Sequence, residues 1–388
     1  MRLYHYFFDF SALVVSSAIL SYIINNIFVR YGISIAQEKT THTLIRWGSR
    51  KKPALGGISF AVVLFFSTIA CLVLNYYQKP DYVFTQQWIG ILIATALGFA
   101  MGLYDDAYHL RPLPKFLSQL VCAIILIATG SVVKVTNVFL LDAFITIFWV
   151  VGIMNSINML DNMDGITGSI SLIAIAAMFI PVFEIQGFNT QTFTLIAVMG
   201  SLIGFLYLNW NPSKLYMGDS GSQFLGAFLS GIAIMYLWQQ NHFQGSYGYM
   251  ANVILPAIVF IIPIIDTTIV TFKRISRGCS PFVGGKDHIT HHFVFYALTD
   301  KSTAILLASI ATCSAILYNV IFFNFVYWKW YLSVFLVTYF FILLGTIFYF
   351  YQQGEHKKRI IEEQNEADNK ITSHWKKKSL QGLLRKVR

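Results

Sequence analysis

Charge is scarce in this chain. Only 12% of its 388 residues are Asp, Glu, Lys or Arg, about half the share of an ordinary soluble domain. That argues against a set of soluble domains, although the length alone would allow two or three. Cysteine is sparse and unpaired. Cys71, Cys122 and Cys313 fall in apolar stretches and Cys279 in a loop, with no Cys-x-x-Cys spacing, so free thiols are expected and a disulfide scaffold is excluded. No Gly/Ser-rich linker, low-complexity tract or internal repeat divides the chain. The first apolar run has neither a basic leader nor a small-residue cleavage site, so it is expected to remain as a helix.

What is abundant is apolar sequence, 56% of residues, in recurring runs near the roughly 20 residues that cross a bilayer. The pattern predicts an all-α polytopic membrane protein with about eleven helices, at 7–28, 58–77, 88–104, 117–133, 138–154, 166–185, 193–208, 223–238, 252–272, 303–324 and 330–351. Alternating the loops from the first helix puts 24 Lys and Arg on one side and four (Arg2, Lys79, Lys134, Lys329) on the other. The excess of basic residues in cytoplasmic loops then sets the N-terminus outside and the C-terminus in the cytoplasm. The net charge of +10 reads as this topology signal; no nucleic-acid partner is expected. Residues 1–353 form the expected membrane domain and 354–388 a basic cytoplasmic tail with clusters Lys357-Lys358-Arg359 and Lys376-Lys377-Lys378. The tail either touches anionic lipid or only enforces topology.

Ionisable groups beside a membrane are costly and usually mark function. Five polar clusters occur, all at inside helix ends or loops. Asp105 and Asp106 end one helix, where they repel each other and oppose the helix dipole. A divalent cation, Lys115 or a catalytic proton would relieve them, and a solvated acidic turn is the plain alternative. Asn155, Asn158, Asp161 and Asp164 recur every third residue, so neighbours share a helix face and offer donors and acceptors suited to a nucleobase and its ribose. Asn209, Tyr216 and Asp219 lie in Asn209–Ser222. Asp219 is either the N-cap of the next helix or a metal ligand, with small residues letting backbone N–H groups approach phosphate, and Tyr216 is placed to stack on a base. The glycine-led loop Gly284–His292 carries Lys286, His288, His291 and His292, suited to phosphate but short of the ligand spacing zinc requires. Arg50–Gly57 combines basic residues with a Pro and paired Gly that shape a turn. Asp266, inside the ninth span, either supports the site from behind or bonds a neighbouring helix.

Pro53–Gly57, Asp105-Asp106 with Lys115, the Asn155–Gly165 ladder, Met217–Ser222 and the histidine loop, in this order over about residues 50–295, resemble the polyprenyl-phosphate N-acetylhexosamine-1-phosphate transferases. That family includes the phospho-N-acetylmuramoyl-pentapeptide transferase and the eukaryotic dolichyl-phosphate enzyme. The resemblance implies that a polyprenyl phosphate such as undecaprenyl phosphate attacks the β-phosphorus of a UDP-N-acetylamino sugar, UDP-GlcNAc being the first guess. UMP is released, as the first membrane step of cell-envelope glycan synthesis. It implies Mg²⁺, with Mn²⁺ as a substitute, held by Asp219 and Asp105. Catalytic roles fall on Asp105, Asp106, Lys115, His288, His291 and His292, and nucleotide contacts on Asn155, Asn158, Asp161, Asp164, Asn209 and Tyr216. It places the protein in a bacterial plasma membrane with its site on the cytoplasmic face, and allows a homodimer. The family's His-x-His-His string reads here His288-Ile-Thr-His291-His292, which leaves the role of each histidine open. The absence of the pentapeptide transferase's three adjacent histidines speaks against that substrate. Two rivals are a polytopic transporter, which would call for midplane charges and repeated broken helices, and a non-catalytic lipid-binding membrane protein.

Overall fold

The computed structural model describes residues 7–32, 52–77, 83–136, 138–239, 242–280, 285 and 287–386. These are helical throughout; the one β feature among them is an isolated bridge between Gln244 and Tyr327. The helices are α1 (Phe7–Tyr31), α2 (Gly56–Tyr76), α3 (Gln86–Tyr108), α4 (Pro112–Ala128), α5 (Phe139–Leu160), α6 (Ile166–Gln186), α7 (Thr190–Asn209), α8 (Gly218–Ala233, continued by a π turn Ile234–Trp238), α9 (Gly248–Val259), α10 (Ile261–Ser276), α11 (Ile289–Tyr296), α12 (Asp300–Asn324) and α13 (Trp330–Lys386).

Among the described residues nine helices are long and apolar enough to cross a membrane, or ten if α9 and α10 make one span bent by 77°. Each of the eleven runs read from the sequence has a helix, α4 being short at 17 residues. Two differ from expectation. The run 252–272 is not one straight helix. Pro263 lacks the N–H that Val259 would need at the next turn and its ring crowds that carbonyl, so the helix breaks at Phe260, the shared cap of both halves. α5 does not stop at residue 154 but runs through Asn155, Ser156 and Asn158 to Leu160, because Asn155 and Asn158 find partners on other helices and Ser156 donates to Gly152 O one turn back. The composition change at residue 354 is likewise no break: α13 passes through it.

α8 is the hub. Its span is almost entirely buried while α1 and α13 are mostly open, and α3, α5 and α2 pack around it. Phe60, Met154, Phe224, Phe228 and Trp88 belong to the central core, and a second cluster joins α6, α10, α11 and α13 through Ile166, Ile265, Ile289 and Tyr351. Peripheral faces show rows of exposed apolar side chains such as Phe65, Phe66, Ile69, Leu72 and Val73, the surface a lipid environment favours. Since consecutive helices run antiparallel, the starts of α2, α4, α6 and α8 and the ends of α3, α5, α7 and α10 meet at one pole.

Candidate active site

The first wall is built on the start of α8. The turn from Pro53 to Gly57 is laced to the segment before α8: Tyr216 N–H donates to Pro53 O (2.8 Å), and the N–H groups of Gly56 and Gly57 donate to the carbonyls of Tyr216 and Met217 (3.0 Å each). Gly218 then takes a left-handed φ of 77° and α8 begins. Its first free N–H groups, on Asp219 and Ser220, donate to the two carboxylate oxygens of Asp106 at 2.8 and 2.9 Å. A carboxylate at a helix N-terminus meets both orphan donors and the positive end of the dipole. α3 is close enough for this because residue 102 is glycine; a Cβ there would lie 2.3 Å from Asp219 O.

Asp105 turns the other way. Its Oδ1 accepts the N–H of Leu110 at 2.7 Å and its Oδ2 is ion-paired with Lys115, whose Nζ also stands 3.8 Å from Asp219 Oδ2. Asn158 donates to Asp219 Oδ1 (2.6 Å) and to Ser222 Oγ (2.8 Å), fixing the carboxylate's rotamer. The Asp105 side chain is 4% exposed and that of Asp219 31%, so of these acids Asp219 opens to the cavity.

The four ladder residues all line one cavity, but they meet different neighbours. Asn155 donates to Gln119 Oε1 (2.8 Å), and Gln119 donates to Gln223 Oε1 (3.2 Å), an amide chain joining α5, α4 and α8. Asp161 follows α5 as its C-cap. Asp164 accepts from Ser213 N–H (2.9 Å), Ser213 Oγ (2.7 Å) and Asn211 Nδ2 (3.3 Å) and lies 3.7 Å from Lys52 Nζ. Lys52 also donates to Ser213 Oγ at 2.8 Å and lies over the Tyr216 ring at 4.8 Å. Asn209 accepts from Gly165 N–H (3.0 Å) and donates to Leu215 O (2.8 Å). It is buried, and both ends of its amide brace backbone, so it does not reach the cavity as expected of a nucleotide contact.

The opposite wall carries the histidines. Asp266, fully buried, accepts Ile289 N–H (2.9 Å) and pairs with His288 Nδ1 (2.9 Å), which orients the ring from behind. Arg274 grips Asp287 with two bonds of 2.7 Å. Thr290 donates to Asn162 Oδ1 at 2.7 Å, tying this wall to the end of α5. His288 and His291 face the cavity with ring centroids 5.7 Å apart. His292 does not: it packs on Tyr351, ring centroids 4.0 Å apart, and burial, helped by Lys358, pulls its imidazole down to about 4, so it is neutral near pH 7. Gly284 and Lys286 lie outside the described residues.

Between the walls lies a cleft of about 1240 Å³. It gathers Lys115, Asn155, Asn158, Asp161, Asp164, Tyr216, Asp219, His288 and His291; Asp105, Asp106, Asn209 and His292 stand behind its lining. One side is lined by the exposed apolar side chains Phe116, Phe144, Phe148, Phe272 and Ile275. Sequence reasoning missed Arg274 and the threonines of α10. The signal was present: Thr267, Thr271 and Arg274 lie at helical spacing on one stripe of an apolar span. Lys52 was visible only as part of a basic run.

Among the described residues no three His, Cys, Asp or Glu side chains gather to enclose a metal. Mg²⁺ is commonly held by one or two carboxylates with the rest of its shell left to water and substrate phosphate. Asp219 and Asp105 converge on the position of the Lys115 ammonium, two hard oxygen donors where one cation already balances two acids. The donor set fits Mg²⁺ and lacks the nitrogen and sulfur ligands of zinc.

The sequence profile of glycosyl transferase family 4 matches residues 88–237, which hold α3 to α8. A Bacillus subtilis protein named a probable undecaprenyl-phosphate N-acetylglucosaminyl 1-phosphate transferase is 30% identical over 56% of this chain and 61% of its own length. A phospho-N-acetylmuramoyl-pentapeptide-transferase of Levilactobacillus brevis is 30% identical over 57% of this chain and 72% of its own. The decaprenyl-phosphate N-acetylglucosaminephosphotransferase of Mycolicibacterium smegmatis is 24% identical over 76% and 77%.

Proposed function

The chain belongs to glycosyl transferase family 4, and from that premise we propose that it transfers an N-acetylhexosamine 1-phosphate from a UDP-sugar to a polyprenyl phosphate, releasing UMP, on the cytoplasmic face of a bacterial plasma membrane. UDP-GlcNAc is the substrate proposed first and undecaprenyl phosphate the acceptor. The observation that carries the reading is the cleft's two-sided lining: Asp219, Lys115, Arg274, His288 and His291 on a polar floor, continuous with exposed aromatic side chains of α5 and α10. A lipid phosphate has that same division between charged head and apolar tail.

Both reactants are anions. Two unit charges 4 Å apart repel by about 4 kcal/mol at an effective dielectric of 20, so the site must supply positive charge. Lys115 and Arg274 stand on opposite walls, each already paired with a carboxylate, so they orient phosphate oxygens while the added positive charge would come with Mg²⁺. The lipid phosphate has a second pKa of about 6 and is largely dianionic at neutral pH, so its oxygen needs aiming more than deprotonation. Transfer forms a bond from that oxygen to the β-phosphorus and breaks the bond to the UMP oxygen, chemistry governed by positioning and charge stabilisation. Mg²⁺, held by Asp219 with Asp105 beside it, would neutralise phosphate charge when bound. Asn158 orients Asp219, Asp266 orients His288, and Asp106 holds the start of α8 where Asp219 sits. Tyr216, Lys52, Asp161 and Asp164 form the proposed nucleotide side, shaped from behind by Asn209.

The test is UMP release by purified protein given undecaprenyl phosphate and a panel of UDP-N-acetylamino sugars. Turnover is expected with Mg²⁺, lost in chelator and absent in Asp219→Asn. A transporter or a non-catalytic lipid-binding protein would release no UMP with any donor.

A further inference from the structure

Helix α11, which carries His291 and follows His288, has eight residues and is too short to be stable alone. Besides Asp266 and Asn162, what holds it is a short stretch of α13 near the polar end of its apolar run. Tyr351, Gly354, Glu355 and Lys357 fall within two turns, the first, second and third on one face. The ring of Tyr351 lies on His292. Residue 354 must be glycine where it stands: a Cβ would be 2.0 Å from the carbonyl oxygen of His292 and 2.7 Å from its carbon, so the two backbones touch. Lys357 Nζ donates to Tyr296 O (2.7 Å), a last-turn carbonyl of α11, where the helix dipole favours a cation. Glu355, 9% exposed, accepts from Lys273 (2.9 Å) and Arg277 (2.5 Å) at the end of α10 and from Arg359 (2.9 Å) on its own helix. One short stretch thus binds both elements of the histidine wall, and none of its residues lines the cleft.

We propose that Tyr351–Lys357 is a positioning element for the transferase: it sets the distance of His288, His291 and Arg274 from Asp219 and Lys115 across the cleft, so that this stretch of the last helix is part of the working site. This rests on the function proposed above. Displacement of a reacting wall by about 1 Å costs on the order of 100-fold in rate, and a Cβ at residue 354 forces a shift of that size. The nucleotide side, built on α2, α5 and the turn before α8, meets the histidine wall through the Thr290–Asn162 bond and the apolar cluster of Leu160 and Met163, so KM is expected to change less than kcat rather than not at all.

The experiment compares Gly354→Ala with the intact protein in three readouts: kcat and KM for the UDP-sugar, thermal stability in detergent, and the rate at which diethyl pyrocarbonate modifies His291, read by peptide mass spectrometry. A kcat lowered by about 10- to 100-fold, KM within about threefold and faster His291 modification support positioning. Unchanged kcat and unchanged His291 reactivity overturn it, as does a loss in which kcat, KM and thermal stability all worsen together. If Gly354→Ala does not reach the membrane folded, Glu355→Gln, which keeps the side chain's shape and removes its charge, is judged by the same outcomes with a smaller expected loss. Histidine modification needs no turnover. Should the intact protein release no UMP, the proposed reaction fails while the labelling still decides whether α13 holds the histidine helix.

Discussion

Two neighbouring carboxylates at the negative end of a helix are unfavourable unless each finds its own partner, and Asp105 and Asp106 do so in opposite directions. Lys115 meets Asp105; the N–H groups that start α8 meet Asp106. The sequence exposes the conflict and offers a lysine nine residues on, but it does not say that one acid serves as a cap. The two roles separate by experiment. Asp106→Ala should lower thermal stability, by about 0.5–2 kcal/mol for a lost cap, together with activity. Asp219→Asn should remove activity and leave the melting temperature near that of the intact protein. A melting temperature unmoved by Asp106→Ala would remove the capping role. Asn209 and His292 teach the same lesson. Their residue types suit a binding site, yet Asn209 braces backbone and His292 is packed under a tyrosine.

Among the elements, α5 and α8 carry most of the site, and their ends differ from what apolar length alone implies. An apolar window stops where polar residues begin, so the span is read to end at residue 154, although the three-residue recurrence of Asn155 and Asn158 already suits a helix face. In the fold they are the last turns of α5, kept helical because Gln119, Asp219 and Ser222 accept or donate across the interface. α8 has to approach α3 without an intervening side chain. Gly102→Ala would place a methyl 2.3 Å from Asp219 O, against backbone that cannot yield as a flexible side chain would. We expect this variant to accumulate poorly in membranes or to show loss of UMP release, measured by yield and by the same transfer assay; normal yield with full turnover would refute the close approach. The break between α9 and α10 follows from Pro263, legible in the sequence as a proline in an apolar run, though not the 77° bend, which packing decides.

Over the whole molecule, alternation of antiparallel helices brings eight helix ends to one pole, and every site residue lies there. The 24-to-4 distribution of Lys and Arg is the reason we propose that this pole faces the cytoplasm. Cys279, exposed in the segment between α10 and α11, reports on it directly. With Cys313 changed to serine, a charged membrane-impermeant maleimide should label Cys279 in inside-out vesicles and not in intact cells. Labelling from the outside would reverse the orientation and, with it, the face on which the proposed site meets its nucleotide sugar.

The sequence by itself determined the rough positions of the long apolar helices, the side on which charge accumulates and the residue types that meet at the site. Each of these follows from local quantities: apolar length against bilayer thickness, basic residues per loop, and polar groups where polar groups are costly. Tertiary structure decided which of those groups face the cleft and which stand behind it. A side chain's role depends on the partner it meets, and Asp106, Asp164, Asn209 and Glu355 each have a partner 44 to 114 residues away in sequence. No periodicity or local composition encodes a contact of that separation.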